Sequence, residues 1–467
     1  MAEYWYSRWM FERALAAIYF VAFAAAVVQF VPLLGERGLE PVGRWISQVP
    51  FRASPSLFYA FPKDAVFRAC AWLGVALSIF ALSSWPQRMG TLPAALVWAA
   101  LWVLYLSFVN VGQTFYGFGW ETLLCEVGFF TIFAGAARSA PNTWLIWIWR
   151  WTLFRLMFGA GLIKLRGDSC WRDFTCLDYY FETQPMPNPL SWYFHWMPHG
   201  VHAAGVAINH LVEVVLPFAY FAPQPIAAIA GIVTILFQGV LIASGNLSWL
   251  NWLTIVLCIP LISDRWLSWI PVRMPADVSS VPAYHVTMYV VAAAVVLLSI
   301  SPVVNLLSSR QLMNASFEPL HLVNTYGAFG SITRERYEIV VEGTDASSVE
   351  DATWREYEFK GKPGDPSRLP PQVAPYHMRL DWLMWFESMG PLPQSGWFFN
   401  LIAGILRGDS QTVGLLRTNP FPATPPRYLR AQYYKYTFTT PDERRQTGRW
   451  WNRELIGTFY GPVALQR

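Results

Sequence analysis

Apolar windows close to the length of a membrane crossing recur along the first two thirds of this sequence. They lie at 12–34, 65–84, 92–111, 119–137, 143–166, 202–222, 225–244, 248–263 and 285–307. A hydrocarbon layer about 30 Å thick takes roughly 20 such residues as a helix. Backbone polar groups in lipid must be satisfied within the segment itself, which leaves the α-helix as the form for windows of this kind. The expected fold is therefore a polytopic α-helical membrane bundle of about nine transmembrane helices. Composition agrees: charged residues are 14 % of the chain, against about 25 % in soluble proteins. The 25 tryptophans and 21 tyrosines suit the two membrane–water interfaces. Glu3, Arg8, Glu12 and Arg13 stand ahead of the long apolar run that ends near Leu34 and no small-residue cleavage site follows it, so this segment is expected to stay as an anchor.

After residue 307 the pattern changes to charged, Pro-rich sequence. The expected domains are 1–307, a transmembrane helical domain with a polar external loop at 167–200, and 308–467, a soluble α+β, β-rich C-terminal domain. Residues 336–341 and 354–359 read as strands, the second by strict alternation of aromatic and charged residues, and 433–439 and 450–459 read as further strands. Segments 377–389, 397–408 and 410–416 have helical periodicity, which makes a small sheet or sandwich with a helical insertion. An odd number of crossings puts the N-terminus and the C-terminal domain on opposite faces. Arg8, Arg13, Arg88, Arg138, Arg265 and Arg273 then favour a cytoplasmic N-terminus, against Arg37, Arg44, Arg52 and Lys63 in the first external loop. In that orientation the 167–200 loop and everything past 307 share the periplasmic or lumenal side. The net charge of +4 is scattered and forms no basic stripe, so nucleic acid is not an expected partner. Membrane lipids are.

Polar chemistry concentrates in two places. The first is residues 170–189, where Cys170, Trp171, Arg172, Asp173, Cys176, Asp178, Glu182 and Gln184 precede Pro185, Pro187 and Pro189. Five residues separate the two cysteines, unlike the tight CxxC of a dithiol oxidoreductase. A structural disulfide, free thiols and a redox pair stay open. The second is the set of ionisable residues inside apolar windows, each a functional candidate because burial in lipid is costly. Arg155 and Lys164 fall in one window, Glu121 and Glu126 in another, His210 and Glu213 in a third. They can be structural ion pairs, or Lys164, Glu121, His210 and Glu213 can form an acid–base cluster acting on a lipid-soluble or peptide substrate. That second reading requires a polar pocket. His195, His199 and His202 have the i, i+4, i+7 spacing of one helix face, but Pro198 interrupts it, and no metal is expected there. Cys70, Cys125 and Cys258 sit in apolar runs and read as buried thiols. No HExxH, Walker A, GxSxG or strand-to-helix GxGxxG motif is present.

Several uncommon strings together resemble the lipase maturation factor family. They begin at Gly119, Trp120, Glu121 and Thr122, continue through 170–189, 244–254 with Asn246 and Asn251, and 305–311, and end with 324–333, opening Asn324, Thr325, Tyr326, and 376–386, which holds Arg379 and Asp381. The resemblance runs from about Trp120 to the C-terminus. It implies a membrane maturation factor, in animals a protein of the endoplasmic-reticulum membrane needed for folding and dimer assembly of secreted lipases. Its C-terminal region is implicated in holding a client, with a suggested part in redox balance. It makes Trp171, Arg172, Asp173, Asp178, Glu182, Gln184, Asn246, Asn251, Asn324, Tyr326, Arg379 and Asp381 candidate binding residues, and implies no cofactor. The low charge and compact loops look bacterial, which places this homologue in a bacterial inner membrane. The leading expectation is a non-enzymatic factor holding a lipase-like secreted client, with 354–359 and 381–386 as aromatic contact surfaces. One helix, Phe158 to Leu165 followed by Trp171, resembles vitamin K-dependent γ-glutamyl carboxylase. There Lys164 occupies the place of the lysine base, and Ile163 stands where that family has a second lysine.

Overall fold

The computed structural model describes residues 3–279 and 282–465. Helix α1 (Trp5–Leu34) has 30 residues and at about 1.5 Å each reaches roughly 45 Å. Its first turn is tied to one end of the bundle. The backbone N–H groups of Trp5 and Tyr6 donate to Asp264 at 2.7 and 2.9 Å, and Arg8 donates to the carbonyls of Ala134 and Ser139. Its last third meets the C-terminal region at the opposite end: Gln29 Nε2 donates to the His377 carbonyl at 2.6 Å and Gln29 Oε1 accepts from the Arg379 N–H at 3.0 Å.

The chain then shuttles between these ends through α2 (Asp64–Leu82), α3 (Thr91–Val111), α4 (Gly119–Thr131), α5 (Thr143–Arg166), α6 (His199–His210), α7 (Ile226–Ser244), α8 (Leu250–Cys258), α9 (Pro282–Leu298) and α10 (Ile300–Leu307). Helix α6 continues through π and 3-10 turns to Phe221, and α9 with α10 forms one pass. Among the described residues this makes nine passes, and the N-terminus and the C-terminal region lie at opposite ends. Six are long and apolar enough to cross a membrane by length and composition. Of the other three, α4 and α8 are short, with 13 and 9 residues, and α5 carries Arg150, Arg155, Lys164 and Arg166. Helix α1 is central, 61 % buried, whereas α2, α7 and the last pass are 33, 33 and 28 % buried. Their remaining surface, including Leu73, Leu236 and Val296, is apolar area that lipid covers and water would drive to aggregate. Gly74 lets α1 and α2 touch, since a Cβ there would overlap the Phe23 ring.

The C-terminal region holds β1 (Arg336–Thr344), β2 (Arg355–Tyr357), β3 (Tyr428–Phe438) and β4 (Trp451–Val463) in one antiparallel sheet ordered β2-β1-β3-β4. It is a single sheet rather than a sandwich. The expected helical insertion lies between β2 and β3 as α11 (Arg379–Glu387) and α12 (Gly396–Leu406), followed by a short helix, Ser410–Gly414. Helix α13 (Pro441–Thr447), unanticipated, joins β3 to β4 and starts with a capping box of Thr440 and Glu443. Strand β2 is shorter than the 354–359 alternation predicts, because the Glu358 carbonyl accepts from the Arg417 N–H at 2.7 Å, outside the ladder. One buried core continues from the bundle through Phe115, Phe118 and Trp120 into Trp382 and Trp397.

Candidate functional site

The 167–200 loop folds against the start of the C-terminal region. Asp168 accepts from the Cys170 N–H at 3.0 Å, capping the short helix Ser169–Arg172, and takes both guanidinium nitrogens of Arg334 at 2.9 and 2.7 Å. The Arg334 guanidinium holds its carboxyl down to about 2. Cys170 and Cys176 are joined by a disulfide. Between them Trp171 is clamped: its indole N–H donates to the Phe329 carbonyl at 2.8 Å, and its own carbonyl lies 2.9 Å from His210 Nε2. Arg172 and Asp173 are exposed, and Arg172 donates to the Leu165 carbonyl. Asp178 binds the Nδ1 atoms of His199 and His202, both on α6. His195 closes a separate short helix, Ser191–His195, so the three histidines do not share one face; burial lowers its imidazole to about 4.

Glu182 and Gln184 join the loop to the sheet. The Glu182 carboxylate accepts from the Phe438 N–H at 2.6 Å, and burial raises its carboxyl. The Glu182, Gln184 and Pro185 carbonyls accept from Arg336. Arg336, Glu338 and Lys362 form a buried charged triad under the sheet. Sequence reading passed over it, although Arg336 and Glu338 stand two apart on one strand face, the register of a same-side ion pair.

Four further candidates, in three locks, dock the C-terminal region onto the bundle. Arg379 is fully buried and donates to Glu121 Oε1 at 2.6 Å and to the Phe115 carbonyl at 2.8 Å, with its guanidinium 3.5 Å from the Tyr116 ring centroid. Glu121 also accepts from the Tyr105 hydroxyl, and His377 Nδ1 stands 3.5 Å away. Asn324 and Tyr326 belong to the second lock: Glu126 accepts from the Asn324 N–H and amide at 3.0 Å each, from the Tyr326 hydroxyl at 2.7 Å, and from Arg155. Asn246 is the third, with Oδ1 accepting from the Val373 and Ala374 N–H groups at 2.7 and 2.8 Å and Nδ2 donating to Pro187 and Pro371. Asn251 donates to Gln238 Oε1 at 2.7 Å. Asp381, its carboxyl raised by burial, accepts from the Gly361 and Lys362 N–H groups. Gln29 in α1 was not anticipated, since one polar residue in a long apolar helix gives no sign of its partner.

Lys164 lies on a different wall. Its ammonium donates to Glu213 Oε1 and Oε2 at 2.6 and 2.7 Å and to Asn209 Oδ1 at 2.9 Å, and sits 5.0 Å from the Trp171 ring centroid. Of the four residues grouped as an acid–base cluster, only Lys164 and Glu213 meet. Glu121 is held by Arg379, and His210 turns Nε2 to the Trp171 carbonyl. The Lys164–Glu213 pair borders a cavity of about 930 Å³ at the junction of the bundle with the C-terminal region.

Nine passes among the described residues, six of them long and apolar enough to cross a membrane, with a polar sheet domain docked on one end define an integral membrane protein with a large body outside the lipid. The sequence matches the lipase maturation factor transmembrane domain over residues 6–269 and the lipase maturation factor C-terminal domain over residues 322–461. The chain belongs to the lipase maturation factor family. It is 41 % identical to lipase maturation factor 1 of Bos taurus over 99 % of this chain and 90 % of that protein, and 41 % identical to lipase maturation factor 1 of Homo sapiens over 99 % and 88 %. Lipase maturation factor 2 of Rattus norvegicus is 29 % identical over 98 % and 83 %. No solved structure matches.

Proposed function

We propose that this chain is a membrane-anchored maturation factor that assists folding or assembly of a secreted lipase. The observation that carries the reading is the 41 % identity to lipase maturation factor 1 along 99 % of the chain. The three docking locks support it, because they fix a large external body rigidly on its anchor. The 167–200 loop and the C-terminal region form one continuous surface: besides the Asp168–Arg334 and Glu182–Phe438 contacts, Trp192 donates to the Thr439 carbonyl and Trp385 to the Thr183 carbonyl. We place that surface on the periplasmic side of a bacterial inner membrane, the counterpart of the lumenal side for relatives in the endoplasmic reticulum. The Cys170–Cys176 bond favours such an oxidising compartment.

The test is co-expression with a secreted dimeric lipase in cells lacking their own maturation factor. Lipase activity per mass of secreted enzyme should rise relative to an empty vector. Equal specific activity with and without the chain, at verified membrane levels, would overturn the reading. A Cys170→Ser, Cys176→Ser double variant that keeps the effect assigns the disulfide to structure rather than to thiol exchange.

A further inference from the structure

We propose that the cavity at the junction of the bundle and the C-terminal region binds an uncharged glyceride-type lipid, with hydroxyl and ester groups at its polar end and an apolar chain in the remainder. At about 930 Å³ the cavity stands near the top of the ~300–1,000 Å³ range of small-molecule sites. Both halves of the protein build it: Leu156, Ala160, Leu241 and Leu250 from the bundle face Trp382 and Phe386 from α11. Such walls hold water poorly and favour an apolar occupant.

The polar end selects the headgroup. All three Lys164 ammonium protons are engaged by Glu213 and Asn209, and Asn209 Nδ2 donates to Glu213 Oε2 at 3.1 Å. The cluster has no net charge. An anionic headgroup would be repelled by Glu213 and find no free ammonium proton; a cationic one would be repelled by Lys164. Glu213 has three bonds on a carboxylate that accepts about four, which leaves room for one donor such as a hydroxyl. The cavity also contains a donor short of a good acceptor: buried Gln238 directs Nε2 to the Met157 thioether at 3.6 Å. A thioether is a weak acceptor, and an ester carbonyl would satisfy that amide far better. Hydroxyl and ester carbonyl together are the headgroup of a monoacylglycerol.

The backbone at this wall is unusual in the same place. Glu213 lies in the π-turn Leu211–Val215 within the α6 pass, a distortion frequently found at functional sites. Gly161 on α5 makes room for it, since a Cβ there would come within 2.6 Å of Val214. A buried ion pair is often no more stabilising than apolar packing of the same volume. Its presence beside a cavity fits recognition.

The test uses the full-length protein in nanodiscs and a diazirine-bearing 1-monooleoylglycerol as the probe. Photolabel should map to peptides covering 156–164 and 241–254, and unlabelled 1-monooleoylglycerol should compete at least about tenfold better than oleate or oleoyl-lysophosphatidylcholine. Ala160→Phe, which fills the cavity, should reduce labelling at least about tenfold at an unchanged unfolding midpoint. Should that variant not fold, Gln238→Leu takes its place and should weaken competition by monooleoylglycerol. Glu213→Gln leaves Lys164 in excess and should shift preference toward oleate. Label spread evenly over the lipid-facing helices, equal competition by all three lipids, displacement by a lipase peptide but not by monooleoylglycerol, or unchanged labelling of folded Ala160→Phe or Gln238→Leu would each overturn the proposal.

Discussion

Replacing Arg379 with methionine tests whether the C-terminal region is locked to the bundle by buried charge. The substitution keeps much of the side chain's length but removes the donors to Glu121 and the Phe115 carbonyl and the cation above the Tyr116 ring. Both partners of the pair are fully buried, so Glu121 is left as an uncompensated charge among Tyr105 and His377. Breaking a buried pair from one side costs about 3–5 kcal/mol. Domains are stable by only about 5–15 kcal/mol, so the loss is large enough to undock the region. At about 1.4 kcal/mol per decade, the undocked population rises by roughly two to three and a half orders of magnitude. Limited proteolysis of the protein in detergent, in the regime where cleavage follows the open population, should show that acceleration at sites between α10 and β1. Arg379→Met with Glu121→Gln should recover part of the loss, because no unpaired charge stays buried. The two changes then couple by about 0.5–3 kcal/mol in a double-mutant cycle. A single variant as protease-resistant as the parent, or a strictly additive double variant, would refute the lock.

Three other outcomes are expected. Cys170→Ser with Cys176→Ser opens a very short covalent loop and should lower stability by about 2 kcal/mol on the chain-entropy account, read as faster proteolysis within 167–200 rather than loss of the whole fold. Asn246→Ala strips the Val373 and Ala374 N–H groups of their acceptor at about 1–3 kcal/mol for each buried group left unpaired, and should raise hydrogen exchange at 371–376. Acidification should destabilise the protein in two stages. His195, His321 and His377 are lowered by burial to about 4 in the folded state, against about 6.5 unfolded. The unfolded chain therefore takes up protons first, and stability present above about pH 6.5 is lost as pH falls toward 4. Asp168, held at about 2 by Arg334, adds a second loss between about pH 4 and 2, while Glu182 and Asp381, raised by burial, oppose the decline. An unfolding midpoint flat from pH 7 to 4 would contradict the histidine contribution.

Hydropathy exposes the passes because each window is governed by its own transfer from water, a local property. Even α5, with four basic residues, was legible as a pass. The run 336–341 located β1 through its Tyr, Ile and Val residues, which favour strands, although both faces of that strand are buried. What did not show were the partners. Glu121 and Arg379 lie 258 positions apart, and Glu126 and Asn324 are 198 apart. Nothing in the spacing says that Glu121 would face the C-terminal region while Glu213 faced Lys164. Grouping the four ionisable residues into one cluster assumed that helices near in sequence share an interior. Their pairing depends instead on which helix walls become neighbours. Of the residues in the family-like strings, Asn246, Asn324, Tyr326 and Arg379 each bind another part of this same chain, a contact that the strings themselves do not reveal.

That assignment has a consequence for how the molecule can work. A region docked only by apolar surface could slide, whereas one docked through Arg379–Glu121, the Glu126 lock and the Asn246 amide has a single register, because each buried polar group is satisfied at one position alone. The same register places α11 across the cavity from α5 and α8 and so creates that cavity, which neither half encloses without the other. Mutations in the locks should therefore reduce lipid labelling as well as proteolytic resistance. Mutations in the cavity wall, such as Ala160→Phe, should cut labelling at least about tenfold and leave the docking intact. The asymmetry separates a site that depends on assembly from an assembly that depends on its ligand.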